Sequence, residues 1–318
     1  MKWETKDIQT WPPEKHVVGA VIPESGNATK YKTGGWRSER PVRDEEKCKQ
    51  CLFCYFYCPD SSVIVEDGRA VGVRYREDGE DRELRADEVV LAAGALDSPA
   101  ILLRSGIDRP GVGQGLQDHP SLPVALHLRD GQAVGPDALA VSACLQGTHS
   151  DTNDLQLLAL DAVDVTMPSL GLLMGAVMRV HSRGSLRLAS ADPTVHPIVE
   201  LNMLADERDM AALHAAATLT ERVATSTAMA AIAEVAPFDL SDGALRAGVG
   251  DYVHAVGTCR MGSAADEAAV VDTRARVIGY DGLLVCDASV MPAVPRANTH
   301  LPVVMVAERV AAFFDRLG

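Results

Sequence analysis

From about residue 63 onward, apolar and polar positions follow the periods of strands and helices. Residues 68–76 (GRAVGVRYR) alternate apolar and polar side chains, which predicts a strand. Residues 88–91 (EVVL) are a short β-branched run that enters the small residues AAGA, which is typical of a buried parallel strand before a tight turn. A helix is predicted over residues 99–105, with Pro in its first turn. Strand, turn and helix make half of a nucleotide-binding unit and are also ordinary α/β scaffolding.

The middle and the end of the chain add further elements. Residues 182–191 (SRGSLRLASA) alternate and predict a strand. Residues 206–223 place apolar side chains along one face of an amphipathic helix. Residues 283–286 predict another strand, and a terminal helix is predicted over 303–317, directly after a proline. The pattern therefore favours an α/β (α+β) fold.

Composition and charge narrow the class of protein. The chain has 318 residues, is 47% hydrophobic and 23% charged, and carries a formal net charge of −14. This acidity disfavours a nucleic-acid-binding protein, which needs a basic face. The N-terminus has no apolar signal sequence, and the longest apolar stretch, 169–180, contains Arg179 and is too short to span a membrane. We therefore expect no membrane span and a cytoplasmic location.

The lysines divide the chain into two unlike parts. All seven lysines lie in residues 1–49, and residues 50–318 contain none. Eight of the 14 aromatic residues also fall within residues 1–60. Folding does not require such a step in composition, so the sequence predicts two pieces of different origin.

Four cysteines form one tight cluster within the first piece. Cys48, Cys51, Cys54 and Cys58 are spaced C-x2-C-x2-C-x3-C and are followed by Pro. This spacing favours ligation of an iron–sulfur cluster by thiolates. Zinc is the alternative, although zinc ribbons usually carry two separated C-x2-C pairs.

Residues 19–65, and above all 31–41 (YKTGGWRSERP) with the cysteine run, resemble the delta (ferredoxin-like) subunit of pyruvate:ferredoxin oxidoreductases. The resemblance implies a 4Fe-4S electron carrier with an electron-transfer partner protein. A second cysteine run of this kind is absent from the sequence. Because the fourth cysteine of each run ligates the other cluster in two-cluster ferredoxins, Cys58 is left without its cluster and the site is expected to be incomplete.

The second piece resembles another family along most of its length. The segments 94–107 (GALDSPAILLRSGI), 111–120 (GVGQGLQDHP), 252–262 (YVHAVGTCRMG) and 281–302 (DGLLVCDASVMPAVPRANTHLP) resemble motifs of the glucose-methanol-choline (GMC) family of FAD-dependent oxidoreductases. The resemblance covers about 63–317. It implies an incomplete FAD-binding α/β domain, an antiparallel-sheet substrate domain, and oxidation of a small-molecule alcohol.

The resemblance also implies roles for particular residues. His254 matches the catalytic histidine, which takes the alcohol proton while hydride passes to the flavin. Asn298 lies at the position of the second catalytic residue, and His300, two residues on, is the alternative for that role. His119 lies in a motif of the family, and the sequence does not indicate its role. The residues expected to face the flavin are Ala93, Gly94, Ala95, Asp287, Ala288, Asn298 and Thr299.

One expected motif is missing. A GMC enzyme holds the FAD pyrophosphate on a G-x-G-x-x-G turn, and the 318-residue sequence contains no such motif. Weak FAD binding is therefore expected. The predicted organisation has four segments: a ferredoxin-like 4Fe-4S segment (1–62), part of the FAD domain (63–118), the substrate domain (119–259), and a return to the FAD domain with the active-site loop and terminal helix (260–318).

Three hypotheses of function follow. The first is a truncated GMC-type FAD-linked alcohol oxidoreductase with His254 as its base. The second is an iron–sulfur electron-transfer subunit of a 2-oxoacid:ferredoxin oxidoreductase. The third is a chimera of the two families without an integrated activity, which the lysine step favours.

Overall fold

A computed structural model describes residues 62–77, 80–133, 141–160, 167–235 and 237–314. The predicted cluster ligands Cys48, Cys51, Cys54 and Cys58, and all of segment 1–62 except Ser62, lie outside these residues.

Within these ranges the chain combines short strands with a few helices. The strands are β1 (Ser62–Glu66), β2 (Arg69–Glu77), β3 (Glu80–Arg85), β4 (Val89–Leu91), β5 (Gln114–Leu116), β6 (Ser121–Leu128), β7 (Val141–Gly147), β8 (Leu155–Leu160), β9 (Leu170–Val177), β10 (Gly184–Arg187), β11 (Ile198–Glu200), β12 (Ala233–Val235) and β13 (Leu283–Val285). The helices are α1 (Gly94–Arg104), α2 (Glu207–Ala224), α3 (Thr227–Ile232), α4 (Asp242–Gly248) and α5 (His300–Phe314). The mixed α/β fold predicted from the sequence is confirmed.

The strands form four sheets in the part of the chain that the structure describes. The largest is antiparallel, in the order β12-β6-β9-β8-β7. Two smaller antiparallel sheets have the orders β1-β2-β3 and β11-β10-β5, and β4 pairs in parallel with β13. The apolar stretch around 169–180 forms β9, and no helix of the described ranges is long and apolar enough to cross a membrane.

Helix α1 begins at Gly94, five residues before the predicted start at Pro99, so this prediction was wrong. Proline lacks an N–H, and inside a helix it deprives the carbonyl four residues earlier of its donor. That carbonyl belongs to Ala95, and the hydroxyl of Thr258 donates to it instead at 2.6 Å. A distant residue therefore lets the helix continue through Pro99.

Helix α2 packs against the largest sheet, as its amphipathic pattern predicts. Its N-cap is Asp206, whose side chain accepts a hydrogen bond from the backbone N–H of Arg208. Met210, Leu213 and Ala217 are buried on the face toward the sheet. Gly175 of β9 brings the two elements close, since a Cβ there would lie 2.4 Å from the Thr220 hydroxyl of α2.

The main hydrophobic core joins the start and the end of the described chain. Val63, Val89 and Leu102 pack in one cluster with Val271 and Val285. Helix α2 and the largest sheet enclose other clusters. The boundaries proposed at 62, 118 and 259 stay a prediction.

Exchange of Gly175 for Ala should destabilise the protein, because the added methyl overlaps the fully buried Thr220. We expect a loss of about 1–3 kcal/mol in the free energy of unfolding, measured by urea denaturation. The control is Gly243→Ala in α4, where a Cβ meets nothing within 4 Å and a helix gains from Ala. A Gly175→Ala protein as stable as the control would show that β9 and α2 are not packed this closely.

Candidate active site

Three consecutive polar side chains are buried in the connection between β5 and β6. Gln117, Asp118 and His119 are 2%, 4% and 0% exposed. Burying polar groups is costly unless they are hydrogen-bonded, so each of these side chains needs partners inside the protein. Each finds them in a segment far away in the sequence.

Gln117 joins two of these segments. Its side-chain amide N–H donates to the carbonyls of Val180, at 2.8 Å, and Ser182, at 3.3 Å. Its Oε1 accepts a hydrogen bond from the backbone N–H of Val294 at 3.1 Å. Gln117 therefore fixes the loop before α5 relative to the chain leading into β10.

Asp118 accepts hydrogen bonds from three backbone N–H groups. Its Oδ1 accepts from His119 at 2.7 Å, from His254 at 3.0 Å and from Tyr252 at 3.3 Å, while Oδ2 lies 3.0 Å from the same N–H of His254. Burial raises the pKa of Asp118 to about 6, and the three N–H groups oppose that rise. The carboxylate thus holds the segment around residue 253 from both sides.

The residue between these two N–H groups has an unusual backbone. Val253 has a φ of +59°, the left-handed region that β-branched residues strongly disfavour. Its side chain is 85% exposed and packs against little. Such strain persists where surrounding bonds over-determine the backbone, and Asp118 provides those bonds. The strained residue lies directly before His254.

His254 is half-buried and belongs to a cluster of three rings. Its Nδ1 lies 3.0 Å from Nδ1 of His119, and the Tyr252 ring meets it edge-on with centroids 4.7 Å apart. The Tyr252 hydroxyl donates to Oε1 of Gln156 at 2.7 Å. On its other side, His119 places Nε2 2.9 Å from the carbonyl oxygen of Pro295.

Burial keeps both imidazoles neutral. It lowers the pKa of His254, and it lowers the pKa of His119 to about 4, with the neighbouring His254 as a further cause. A neutral, partly accessible imidazole can accept a proton from a bound molecule. The ring of His254 is therefore suited to act as a base.

Asp118, His119 and His254 also offer three ligand atoms within 4.8 Å of one another, a spacing that could hold a metal ion. However, the carboxylate already accepts backbone N–H groups and the two rings bond to each other. Hydrogen bonding accounts for the cluster without a metal.

The two parallel strands end side by side, and the structure brings together most of the residues expected to face a flavin. Ala93, Gly94 and Ala95 follow β4, while Asp287 and Ala288 follow β13. The Gly94 N–H donates to Oδ2 of Asp287 at 2.9 Å. Asp287 also accepts the hydroxyl of Ser98 and the N–H of Ser289, so its carboxylate ties the two strand ends together.

The other predicted residues lie apart from this group. Asn298 is exposed in the loop before α5, His300 is the exposed first residue of α5, and Thr299 is half-buried. No hydrogen bond among the described residues joins either Asn298 or His300 to His254. Their catalytic roles, and the flavin contacts of Asn298 and Thr299, stay predictions.

Sequence reasoning did not find Gln117, Asp118 or Tyr252, and it assigned His119 no role. A signal for them was present. Three polar residues in succession, between the buried Leu116 and Pro120, contradict the alternation of a surface strand. Such a run predicts buried polar groups with distant partners.

The lowered pKa of His119 predicts how stability depends on pH. The neutral ring in the folded protein has a pKa of about 4, below the value of roughly 6.5 in an unfolded chain, so stability is lost as pH falls between these values. Exchange of His119 for Gln removes this loss. The stability advantage of the wild type over His119→Gln should therefore shrink by about 3 kcal/mol between pH 7 and pH 4.

Denaturant titrations at both pH values measure the effect. Asp118 titrates in both proteins, so the difference between them removes its opposing contribution. The control is His196→Gln, which exchanges an exposed imidazole without removing a buried contact. A difference in the free energy of unfolding between the wild type and His119→Gln that does not change with pH would contradict a buried neutral ring.

The strain at Val253 predicts a stabilising substitution. Asn tolerates the left-handed conformation better than Val, and little packing is lost at this exposed site. We expect Val253→Asn to raise the free energy of unfolding by about 1 kcal/mol. The matched control is Val199→Asn, a 38% exposed position of β11, which should bring no gain. Equal effects of the two substitutions in thermal unfolding would show that Val253 is unstrained.

Two sequence profiles, both described as GMC oxidoreductase, match the chain at residues 61–121 and 180–307. The first match covers β1–β5 and the buried residues Gln117, Asp118 and His119, and the second covers His254 and the loop before α5. Both matches leave out the segment 1–60 with its four cysteines. The ferredoxin-like resemblance of that segment therefore has no support from these matches.

Individual proteins of known sequence are also similar to this chain. The 5-(hydroxymethyl)furfural oxidase of Methylovorus sp. (strain MP688) is 36% identical over a region that covers 78% of this chain and 54% of that protein. The mitochondrial choline dehydrogenase of Mus musculus is 30% identical over a region that covers 79% of this chain and 51% of that protein. The chain spans about half the length of these relatives.

Solved structures share the fold. Pyridoxine 4-oxidase from Mesorbium loti superposes with a TM-score of 0.71 at 25% identity, covering 80% of this chain and 56% of that protein. The formate oxidase of Aspergillus oryzae gives a TM-score of 0.71 at 21% identity, covering 80% and 59%. Since the two profile matches together cover more than half of the chain, the chain belongs to the GMC oxidoreductase family.

Proposed function

We propose that this chain carries the base and the substrate side of an FAD-linked oxidoreductase that converts an alcohol CH–OH group to a carbonyl. One observation carries the proposal. His254, which the sequence resemblance matches to the family's catalytic histidine, is half-buried, its pKa is lowered by burial, and it is held by Asp118 and His119.

The residues at the strand ends fit one side of a flavin. Ala93, Ala95 and Ala288 are small, and a Cβ at Gly94 would meet no atom within 4 Å, so open space adjoins the turn after β4. Ligands of α/β sheets bind at the carboxyl ends of parallel strands, which is where these residues lie. Asp287 braces this crevice through its bonds to Gly94 and Ser98.

In this proposal His254 accepts the hydroxyl proton of the alcohol. Bound FAD supplies the acceptor for the hydride that leaves the carbinol carbon. Asn298, or alternatively His300, donates a hydrogen bond to the same oxygen and stabilises its developing negative charge.

The relatives suggest the substrate class. Three of the similar proteins are named after 5-(hydroxymethyl)furfural, choline and pyridoxine, and each of these molecules carries a primary alcohol. We therefore propose a primary alcohol as the substrate. Because the sequence has no G-x-G-x-x-G turn, FAD is expected to bind this chain weakly and to need a saturating concentration.

The test follows the visible absorption of FAD. The purified chain, saturated with FAD and kept free of oxygen, is mixed in turn with the three alcohols. Bleaching of the flavin bands by at least one alcohol supports the proposal. Unchanged flavin absorption with all three would overturn it.

Exchange of His254 for Ala should slow that bleaching by about 10²–10⁴-fold, because the alcohol proton then has no positioned acceptor. FAD binding itself should change little. The control is His196→Ala at an exposed site, which should bleach at the wild-type rate. An undiminished rate in His254→Ala would remove this residue from the mechanism.

A further inference from the structure

The ring of His119 has Nδ1 of His254 and the backbone carbonyls of Pro295 and Met178 as partners, and both carbonyls can only accept a hydrogen bond. The oxygen of Pro295, 2.9 Å from Nε2, can only accept a hydrogen bond. Nε2 must therefore carry the hydrogen. Since the ring is fully buried and neutral, it has a single N–H, and Nδ1 is left as a lone-pair acceptor.

The partner of that acceptor is Nδ1 of His254, 3.0 Å away. Two bare nitrogens at this distance would repel each other, so the nitrogen of His254 must donate. A neutral imidazole that carries its hydrogen on Nδ1 has a bare Nε2. Nε2 of His254 makes no hydrogen bond within the described part of the chain.

We propose that His119 is a positioning residue that holds His254 in the tautomer with hydrogen on Nδ1, which leaves Nε2 free to accept the proton of the substrate. The chain of bonds runs from the Pro295 carbonyl through His119 to His254. This inference rests on the proposed function, because it assigns the atom of His254 that acts as the base.

The arrangement also suits the state after proton transfer. The O–H bond of the alcohol breaks, its electron pair stays on oxygen, and the proton moves to Nε2. The Nδ1–H bond to His119 then becomes a hydrogen bond from a charged donor, which is stronger than a neutral one. The same contact that sets the tautomer thus stabilises the imidazolium.

Nitrogen NMR of the chain labelled with ¹⁵N in its histidines tests the proposal without FAD or alcohol. The signals of His254 are identified as those missing from His254→Ala. At neutral pH we expect Nδ1 of His254 at the shift of a protonated nitrogen and Nε2 at that of a bare one. This is the reverse of the tautomer that free histidine favours in water. Hydrogen found on Nε2 of His254 would overturn the proposal.

Two substitutions separate the two bonds of His119. In His119→Asn the side-chain oxygen replaces Nδ1 as an acceptor for His254, while the bond to Pro295 is lost. In His119→Gln the amide nitrogen can still donate to Pro295, while nothing replaces Nδ1. We expect the Nδ1–H tautomer of His254 to persist in His119→Asn and to give way to a mixture in His119→Gln. The same tautomer in both variants would show that His119 does not set it, and hydrogen on Nε2 of His254 in the wild type would overturn the proposal even if a variant fails to fold.

The rate of flavin bleaching at saturating FAD is a further measurement, and it distinguishes a positioning role of His119 from a purely structural one. His119→Gln should lower the rate of flavin bleaching at saturating alcohol by about 10²-fold, with the half-saturating alcohol concentration nearly unchanged. His119→Asn should recover most of that rate. If no alcohol bleaches the flavin, the proposed function fails while the NMR result still stands or falls by itself.

Discussion

The site depends on the hydrogen bonds that the carboxylate of Asp118 accepts. It accepts the backbone N–H groups of Tyr252 and His254 across more than 130 residues of chain, and of His119 beside it. A charged acceptor with several N–H donors is among the stronger hydrogen-bonding arrangements in proteins. Those bonds keep Val253 in a backbone conformation that it would not adopt alone. They also place the ring of His254 against His119.

The low polarity around these groups determines their chemistry. Burial makes a charged imidazole unfavourable, so His119 and His254 are neutral and bond to each other as one donor and one acceptor. A base must be unprotonated before it acts, and a buried neutral histidine meets that requirement at neutral pH. In its proposed role as base, His254 is thus kept neutral by desolvation and held by a neighbouring ring, while the Asp118 carboxylate binds its backbone N–H.

A second set of contacts shapes the crevice at the strand ends. Asp287 binds the first residue of α1 through the N–H of Gly94 and the second turn of that helix through the hydroxyl of Ser98. Thr258, four residues after His254, supplies the donor that Pro99 cannot. The proposed cofactor side and the proposed base side are thus linked by short stretches of the same chain.

The sequence by itself determined the local elements and the family. Strand alternation in 68–76, the amphipathic face of α2 and the motif containing His254 are properties of neighbouring residues, so period and spacing reveal them. Tertiary structure alone decided that His119 meets His254 and Pro295, and that α1 begins at Gly94. These contacts join residues 135 to 193 positions apart. No local pattern records such a partner, because the partner is chosen only when the whole chain packs.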